Sequence, residues 1–246
     1  MQKKGDNMRI IFVRHAEPDY SIDSLTEKGF KEAECLSKRV KNWENITDFY
    51  ASPLGRAQDT CKTALQYTNR SYQTLEWLKE FNHTIVDKEN NIENIIPWDL
   101  MPSYWTNLDD IYDKDNWTQT PIYKNANIAD HFKEVTKGID DLLLKYGYKR
   151  NGNHYVTDKE NDDTTIVLFC HLGVSYVIWG YLTGISPALL WHTFFVAPSS
   201  VTVLGCEERE KGIAQFRLQT VGDTKHLALE NEPISHMGAF FEIFQD

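Results

Sequence analysis

Two uninterrupted apolar runs constrain this chain more than any other feature: "RIIFV" at 9–13 and "TTIVLFC" at 164–170. Runs of this length, rich in β-branched residues, read as strands buried on both faces, and such strands belong to mostly parallel sheets covered by helices. The segments between them carry the helical period. Within 26–43, Ala33, Leu36, Val40 and Trp43 repeat at helical spacing behind Thr26 as N-cap. "DFYAS" (48–52) predicts a short second strand, and "PLGRAQDTCKTAL" (53–65) a helix opened by Ser52 with Pro53 at its first position. Phe132, Val135, Ile139, Leu142 and Leu143 predict another helix ending near Gly147, and "HLGVSYVIWGYLTGI" (171–185) predicts one that starts at His171. The tail, 201–221, alternates like a hairpin around "EEREKG". The expected fold is α/β: a three-layer sandwich with a mostly parallel central sheet and helices on both faces. At 246 residues, one domain with an insertion is expected rather than two domains.

Composition narrows the partners. With 26 basic against 36 acidic residues the net charge is -10, which offers no cationic face for nucleic acid or anionic lipid. No apolar run approaches the roughly 20 residues of a membrane span, and the N-terminal stretch lacks the apolar core of a signal peptide, so a soluble cytoplasmic protein is expected. Cys35, Cys61, Cys170 and Cys206 are scattered without metal-site or disulfide spacing and are expected to be reduced and mostly buried.

Both apolar strands run into histidine: Arg14 and His15 follow the first, His171 the second. In an open α/β sheet the functional crevice lies at the carboxyl ends of the strands. A lone histidine there is most often structural. Two of them, with Arg14 at one strand end and Arg56 in the first turn of a helix at another, point to a shared site.

These residues carry a family resemblance. "VRHAEP" resembles the RHG motif of the histidine phosphatase (phosphoglycerate mutase-like) superfamily, and "LTEKGFKEA" is similar to the helix after it. "YASPLGRAQDTC" resembles the SPLxRAxxTA segment, "LFCHLGVSYVI" the strand ending in HGG, and "APSSVTVL" a late strand. The matches keep the family's order over about the first 80 and about the last 85 residues.

The resemblance implies a phosphomonoesterase acting on a small phosphorylated metabolite without metal or other cofactor. Its chemistry suits the residues. A phosphomonoester is a dianion whose transfer needs a nucleophile and fixed positive charge around the equatorial oxygens. His15 would supply the nucleophilic nitrogen and His171 would hydrogen-bond the transferring group. Arg14 and Arg56 would bind phosphate bidentately. The family's acid maps to Glu80 in "WLKEFN", ahead of Glu76, as proton donor to the leaving oxygen. Ser21 stands at the spacing of a family asparagine after the first histidine, and Leu172 replaces the glycine after the second; both are carried as phosphate-site positions. Ala16 and Cys170 are further departures.

Between Glu80 and His171 the chain departs most. The acidic, aromatic stretch "IIPWDLMPSYWTNLDDIYDKDNWTQTPIYK" (95–124) reads as part of an inserted lid at about 81–127. Trp98, Tyr104, Trp105, Tyr112, Trp117 and Tyr123 either line a substrate pocket or pack the insertion's own core. His83 is expected near the pocket. His131, His154, His192, His226 and His236 show no metal-ligand spacing. The ERHYG segment of the cofactor-dependent mutases is absent, so hydrolysis is favoured over the alternatives, mutase-type phosphoryl transfer and a non-catalytic phospholigand-binding protein. Homodimerisation stays open.

Overall fold

The computed structural model describes residues 7–88, 90, 92–159 and 163–244. Eight strands form one sheet: β1 (Arg9–Arg14), β2 (Asp48–Ala51), β3 (Gln73–Thr74), β4 (Lys149–Asn151), β5 (His154–Val156), β6 (Thr165–Cys170), β7 (Val201–Glu210) and β8 (Ile213–Asp223). Their order is β3-β2-β6-β1-β7-β8-β5-β4. The first four in this order are parallel, and the rest join antiparallel from β7 outward. The two apolar runs, β1 and β6, lie side by side at the centre, and all six residues of β6 are buried.

Five longer helices cover the sheet: α1 (Glu27–Val40), α2 (Gly55–Leu65), α3 (Ile128–Lys145), α4 (Leu172–Thr183) and α5 (Pro187–Thr193). Strand alternation divides them. Ile11 and Val13 of β1, with Phe49, Val167 and Phe169, pack against Leu36 and Val40 of α1 and Ala64 and Leu65 of α2. Ile10, Phe12, Ile166 and Leu168 point the other way, into a core with α3, α4 and α5. The three-layer expectation holds, with the tail hairpin and the short β4 and β5 supplying the antiparallel half.

Three local boundaries differ from the sequence expectation. Helix α1 is capped by the Thr26 hydroxyl, which accepts from the Gly29 N–H at 3.0 Å, but it ends at Val40 rather than Trp43: the N–H groups of Asn42 and Trp43 bond only three residues back, to Arg39 O and Val40 O, and close the helix in a tighter turn. Helix α2 begins at Gly55, with Leu54 as its cap, so Ser52 and Pro53 precede it. The hairpin turn is confined to Lys211 and Gly212, since residues 207–210 continue β7 as strand.

The insertion forms a small hairpin (Ile85–Asp87 with Ile92–Ile95) and several single-turn helices. Trp117 and Tyr123 are fully buried, and both contact Trp191 of α5. They thus belong to the main core rather than to a separate one inside the insertion.

Candidate active site

Parallel register sets the site. Arg14 pairs with Cys170 and Ala51 with Phe169, so β1, β2 and β6 end at one level and deliver His15, Ser52 and His171 to one crevice. The ladder continues one step into the loops: the His15 N–H donates to Cys170 O at 2.8 Å and the Ser52 N–H to Phe169 O at 2.9 Å. The two imidazole centroids lie 5.1 Å apart.

His15 is 2 % exposed. Its Nδ1 lies 2.8 Å from Ala16 O, and because a carbonyl only accepts, this nitrogen carries the proton and Nε2 keeps a free lone pair. Burial, reinforced by the charges of Arg14 and Arg56, holds the His15 pKa well below the ordinary histidine range. The ring is therefore neutral at physiological pH, the state a nucleophile needs. His171 is held neutral in the same way by burial and its cationic neighbours. Its Nε2 is 2.7 Å from the Ser52 hydroxyl, and its buried Nδ1 has no hydrogen-bond partner.

The arginines flank the pair. Arg14 donates to Val196 O at 2.6 Å and reaches Met237 O at 3.5 Å. Arg56 is paired with Asp23 at 2.5 Å, and its guanidinium lies 5.4 Å from the Tyr20 ring centroid. Nε of both arginines is buried and unpartnered. Unpartnered buried donors on charged groups are costly, and a bound anion is one way to satisfy them.

Glu80 lies at the N-terminus of α4. Its Oε1 accepts from the N–H groups of Phe81 (2.7 Å) and Val174 (3.0 Å), and its Oε2 from Gly173 (3.3 Å). Burial raises its pKa, and these N–H groups and Arg56 only partly oppose that rise. Gly173 is required by this approach: an added Cβ would fall 2.3 Å from the Trp98 ring and 2.8 Å from Glu80 Oε1. The same contact places Trp98 beside Glu80, and Trp98 alone of the insertion's tryptophans is shown against a site residue.

The structure thus brings together His15, Arg14, Arg56, Glu80 and His171. It does not bring Ser21 to them: Ser21 is exposed, and both its N–H and its hydroxyl bond to Asp19 Oδ1. Leu172 opens α4 at the site's edge with its side chain packed in the core. His83 stacks on His131, 3.2 Å between centroids, with Phe81 at the edge of both rings.

Several contributors escaped the sequence reading. Ser52 was expected to cap a helix, yet its hydroxyl meets His171. Thr60, one helical turn after Arg56, accepts from the Ala16 N–H at 3.0 Å and donates to Arg56 O at 2.7 Å, which ties the His15 loop to α2. Asp23 adopts φ 48° and accepts from the Gly55 N–H at 2.7 Å while it holds Arg56. An added Cβ at Gly55 would meet Asp23 O at 1.9 Å. Spacing from Arg56 could have found Thr60. Nothing local signals Asp23, whose role depends on the loop's path.

All four cysteines are buried. Among the described residues no group of three or more His, Cys, Asp or Glu side chains is placed to hold a metal ion, and no helix is long and apolar enough to cross a membrane.

Comparison with known proteins agrees with this geometry. A phosphoserine phosphatase mutant from Entamoeba histolytica in complex with phosphoserine is 20% identical, covers 89% of this chain and 99% of its own, and superposes with a TM-score of 0.58. The α-ribazole phosphatase from Shigella flexneri is 20% identical over 88% of this chain and 97% of its own, with a TM-score of 0.54. A mycobacterial glucosyl-3-phosphoglycerate phosphatase is 17% identical over 87% and 98%, with a TM-score of 0.58. At these identities the likeness is one of fold. No curated protein matches the chain. The model of the histidine phosphatase superfamily (branch 1) matches residues 10–219, most of the chain and every core site residue identified above, and the protein belongs to that superfamily.

Proposed function

We propose that this protein hydrolyses a small phosphomonoester through a phosphohistidine on His15. The observation that carries the reading is a neutral imidazole whose Nδ1 proton is fixed on Ala16 O, set between two arginines with unpartnered Nε groups. Nε2 attacks phosphorus as the P–O bond to the leaving group breaks. Arg14, Arg56 and His171 stabilise charge on the three equatorial oxygens. Glu80, kept protonated more readily by burial, gives its proton to the leaving oxygen and then takes one from the water that attacks phosphohistidine. The Ser52 hydroxyl accepts from the Leu54 N–H and can donate its own hydrogen to His171 Nε2; in that tautomer the histidine proton sits on Nδ1, available to the phosphoryl oxygens.

The site's cations are few and the insertion is acidic, which favours a substrate with one phosphate over a polyphosphate. The neighbours named for phosphoserine, α-ribazole and glucosyl-3-phosphoglycerate phosphatases fit a small-molecule ester of this kind, and a cytoplasmic metabolite is the substrate proposed. Rapid quenching during turnover of p-nitrophenyl phosphate should trap an acid-labile, base-stable phosphoryl group on wild-type protein. His15→Ala should retain its circular dichroism spectrum while forming neither that adduct nor free phosphate. A folded His15→Ala protein with near-normal turnover would refute the mechanism.

A further inference from the structure

One buried polar group beside the arginines has no role in this scheme. Tyr176 lies on α4, one turn after Gly173, and is fully buried. Its hydroxyl is within reach of the charges of Arg14 and Glu80 and lies next to the backbone of Val196, the residue whose carbonyl holds Arg14. The hydroxyl makes no hydrogen bond of ordinary geometry. The Val196 N–H can only give to the phenolic oxygen, so the phenolic hydrogen is left with nothing to accept it. Glu80, whose charge also acts on this hydroxyl, is already engaged by three backbone N–H groups.

A buried hydroxyl in this state is costly, and its neighbours share its condition: Arg14 Nε, Arg56 Nε and His171 Nδ1 are also unpartnered. One tetrahedral anion in the crevice would satisfy donors of all four kinds. We propose that Tyr176 is a phosphate-binding residue, its hydroxyl donating to a phosphoryl oxygen on the side of the site between Arg14 and Glu80. This rests on the anion-binding reading of the site given above. The interaction exists in the ground state and in the transition state alike, so it acts mainly on binding.

Tyr176→Phe is the test, since it removes only the oxygen. Isothermal titration calorimetry with inorganic phosphate should show about a ten- to hundredfold weaker Kd for the variant, the loss expected for one hydrogen bond to a charged acceptor. KM for p-nitrophenyl phosphate should rise with it while kcat changes little. In phosphate-free buffer the variant's Tm should stay within about 2 °C of wild type, because the weak Val196 contact and the unsatisfied phenolic hydrogen are lost together, and the gap should widen in saturating phosphate. An unchanged phosphate Kd, or a Tm lowered as much in phosphate-free buffer as in saturating phosphate, would overturn the proposal, the latter by showing that the hydroxyl serves the fold and not the anion. If wild-type protein binds no phosphate, the anion-site reading fails and Tyr176 fails with it; binding by wild type and variant alike removes Tyr176 only.

Discussion

At the scale of single residues, the site separates fixed charge from movable protons. Arg14 and Arg56 are held by partners that survive without substrate, a backbone carbonyl in one case and Asp23 in the other, so neither must reorganise as charge builds on the phosphoryl oxygens. Arg14→Ala or Arg56→Ala should each remove about 2–4 kcal/mol of transition-state stabilisation, read as kcat/KM, and wild-type efficiency in both would place the phosphate elsewhere. In the proposed mechanism the protons belong to His15 and Glu80, whose pKa values move in opposite senses. His15 must be neutral to attack, and its lowered pKa keeps it so well below the ordinary histidine range. Glu80 must be protonated to assist departure, and its raised pKa extends that state above the ordinary carboxylate range. Activity should therefore fall as pH rises through the Glu80 pKa, at a pH above the ordinary carboxylate range. Glu80→Gln should lose far more turnover with an alkyl phosphate, whose alkoxide needs the proton, than phosphorylation rate with p-nitrophenyl phosphate, whose phenolate leaves unaided. Equal losses in the two burst rates would argue that Glu80 only positions α4.

The elements differ in how much of this was written locally. Strands β1 and β6 were legible because an unbroken β-branched run has few alternatives, and the motifs at their ends followed with them. Ser52 was misplaced because Ser-Pro is a common helix opening, whereas here the strand ladder carries Ser52 into the crevice and the helix waits for Gly55. Ser21 was placed by spacing alone, and the turn it sits in is organised by Asp19 instead. Glu32 shows the same limit: in sequence it is one more glutamate on an amphipathic helix, yet on α1 it is fully buried, where Oε2 accepts from the Glu17 N–H at 2.9 Å and Lys28 stands 3.9 Å from Oε1. Burial raises its pKa from 4.5 to about 7. The unfolded chain releases this proton near 4.5 and the folded chain near 7, so the stability that Glu32 contributes is full below 4.5 and is lost as pH rises to about 7. The difference is on the order of 3 kcal/mol. Glu32→Gln keeps an acceptor for Glu17 and cannot ionise. In urea unfolding across pH 4–8 its stability relative to wild type should grow between pH 4.5 and 7 and then level off, since the buried histidines titrate equally in both proteins. Parallel curves would mean that Glu32 has the same pKa in the folded and the unfolded chain.

At the scale of the whole molecule, the question is whether the insertion is a separate cover or part of the enzyme's core. Aromatic composition could not decide this, because the same residues suit a pocket lining and a packed interior. The contacts divide them. Trp117 is fully buried and meets Tyr123, Phe132 and Trp191 edge-on at 5.8, 5.3 and 5.2 Å, linking the insertion to α3 and α5. Trp105 lies against Tyr112 and His192. Trp98 is half-buried, with one side on Trp191 and its ring against Gly173 beside Glu80. Because the Trp117 cluster is continuous with Phe12, Ile166 and Leu168 of the sheet, the insertion should unfold with the domain, and near- and far-ultraviolet circular dichroism should report one coincident transition. Trp117→Ala should cost about 3–5 kcal/mol, as large-to-small changes in a packed core do, with the ranking of substrates unchanged in whatever protein remains folded. Trp98→Ala instead removes a surface next to Glu80, the proposed proton donor. It should alter relative kcat/KM between p-nitrophenyl phosphate and small aliphatic phosphates by more than it alters stability. If Trp98→Ala lowers the unfolding free energy as much as Trp117→Ala and leaves the substrate ranking intact, the insertion is core throughout and specificity must come from the loops at the strand ends.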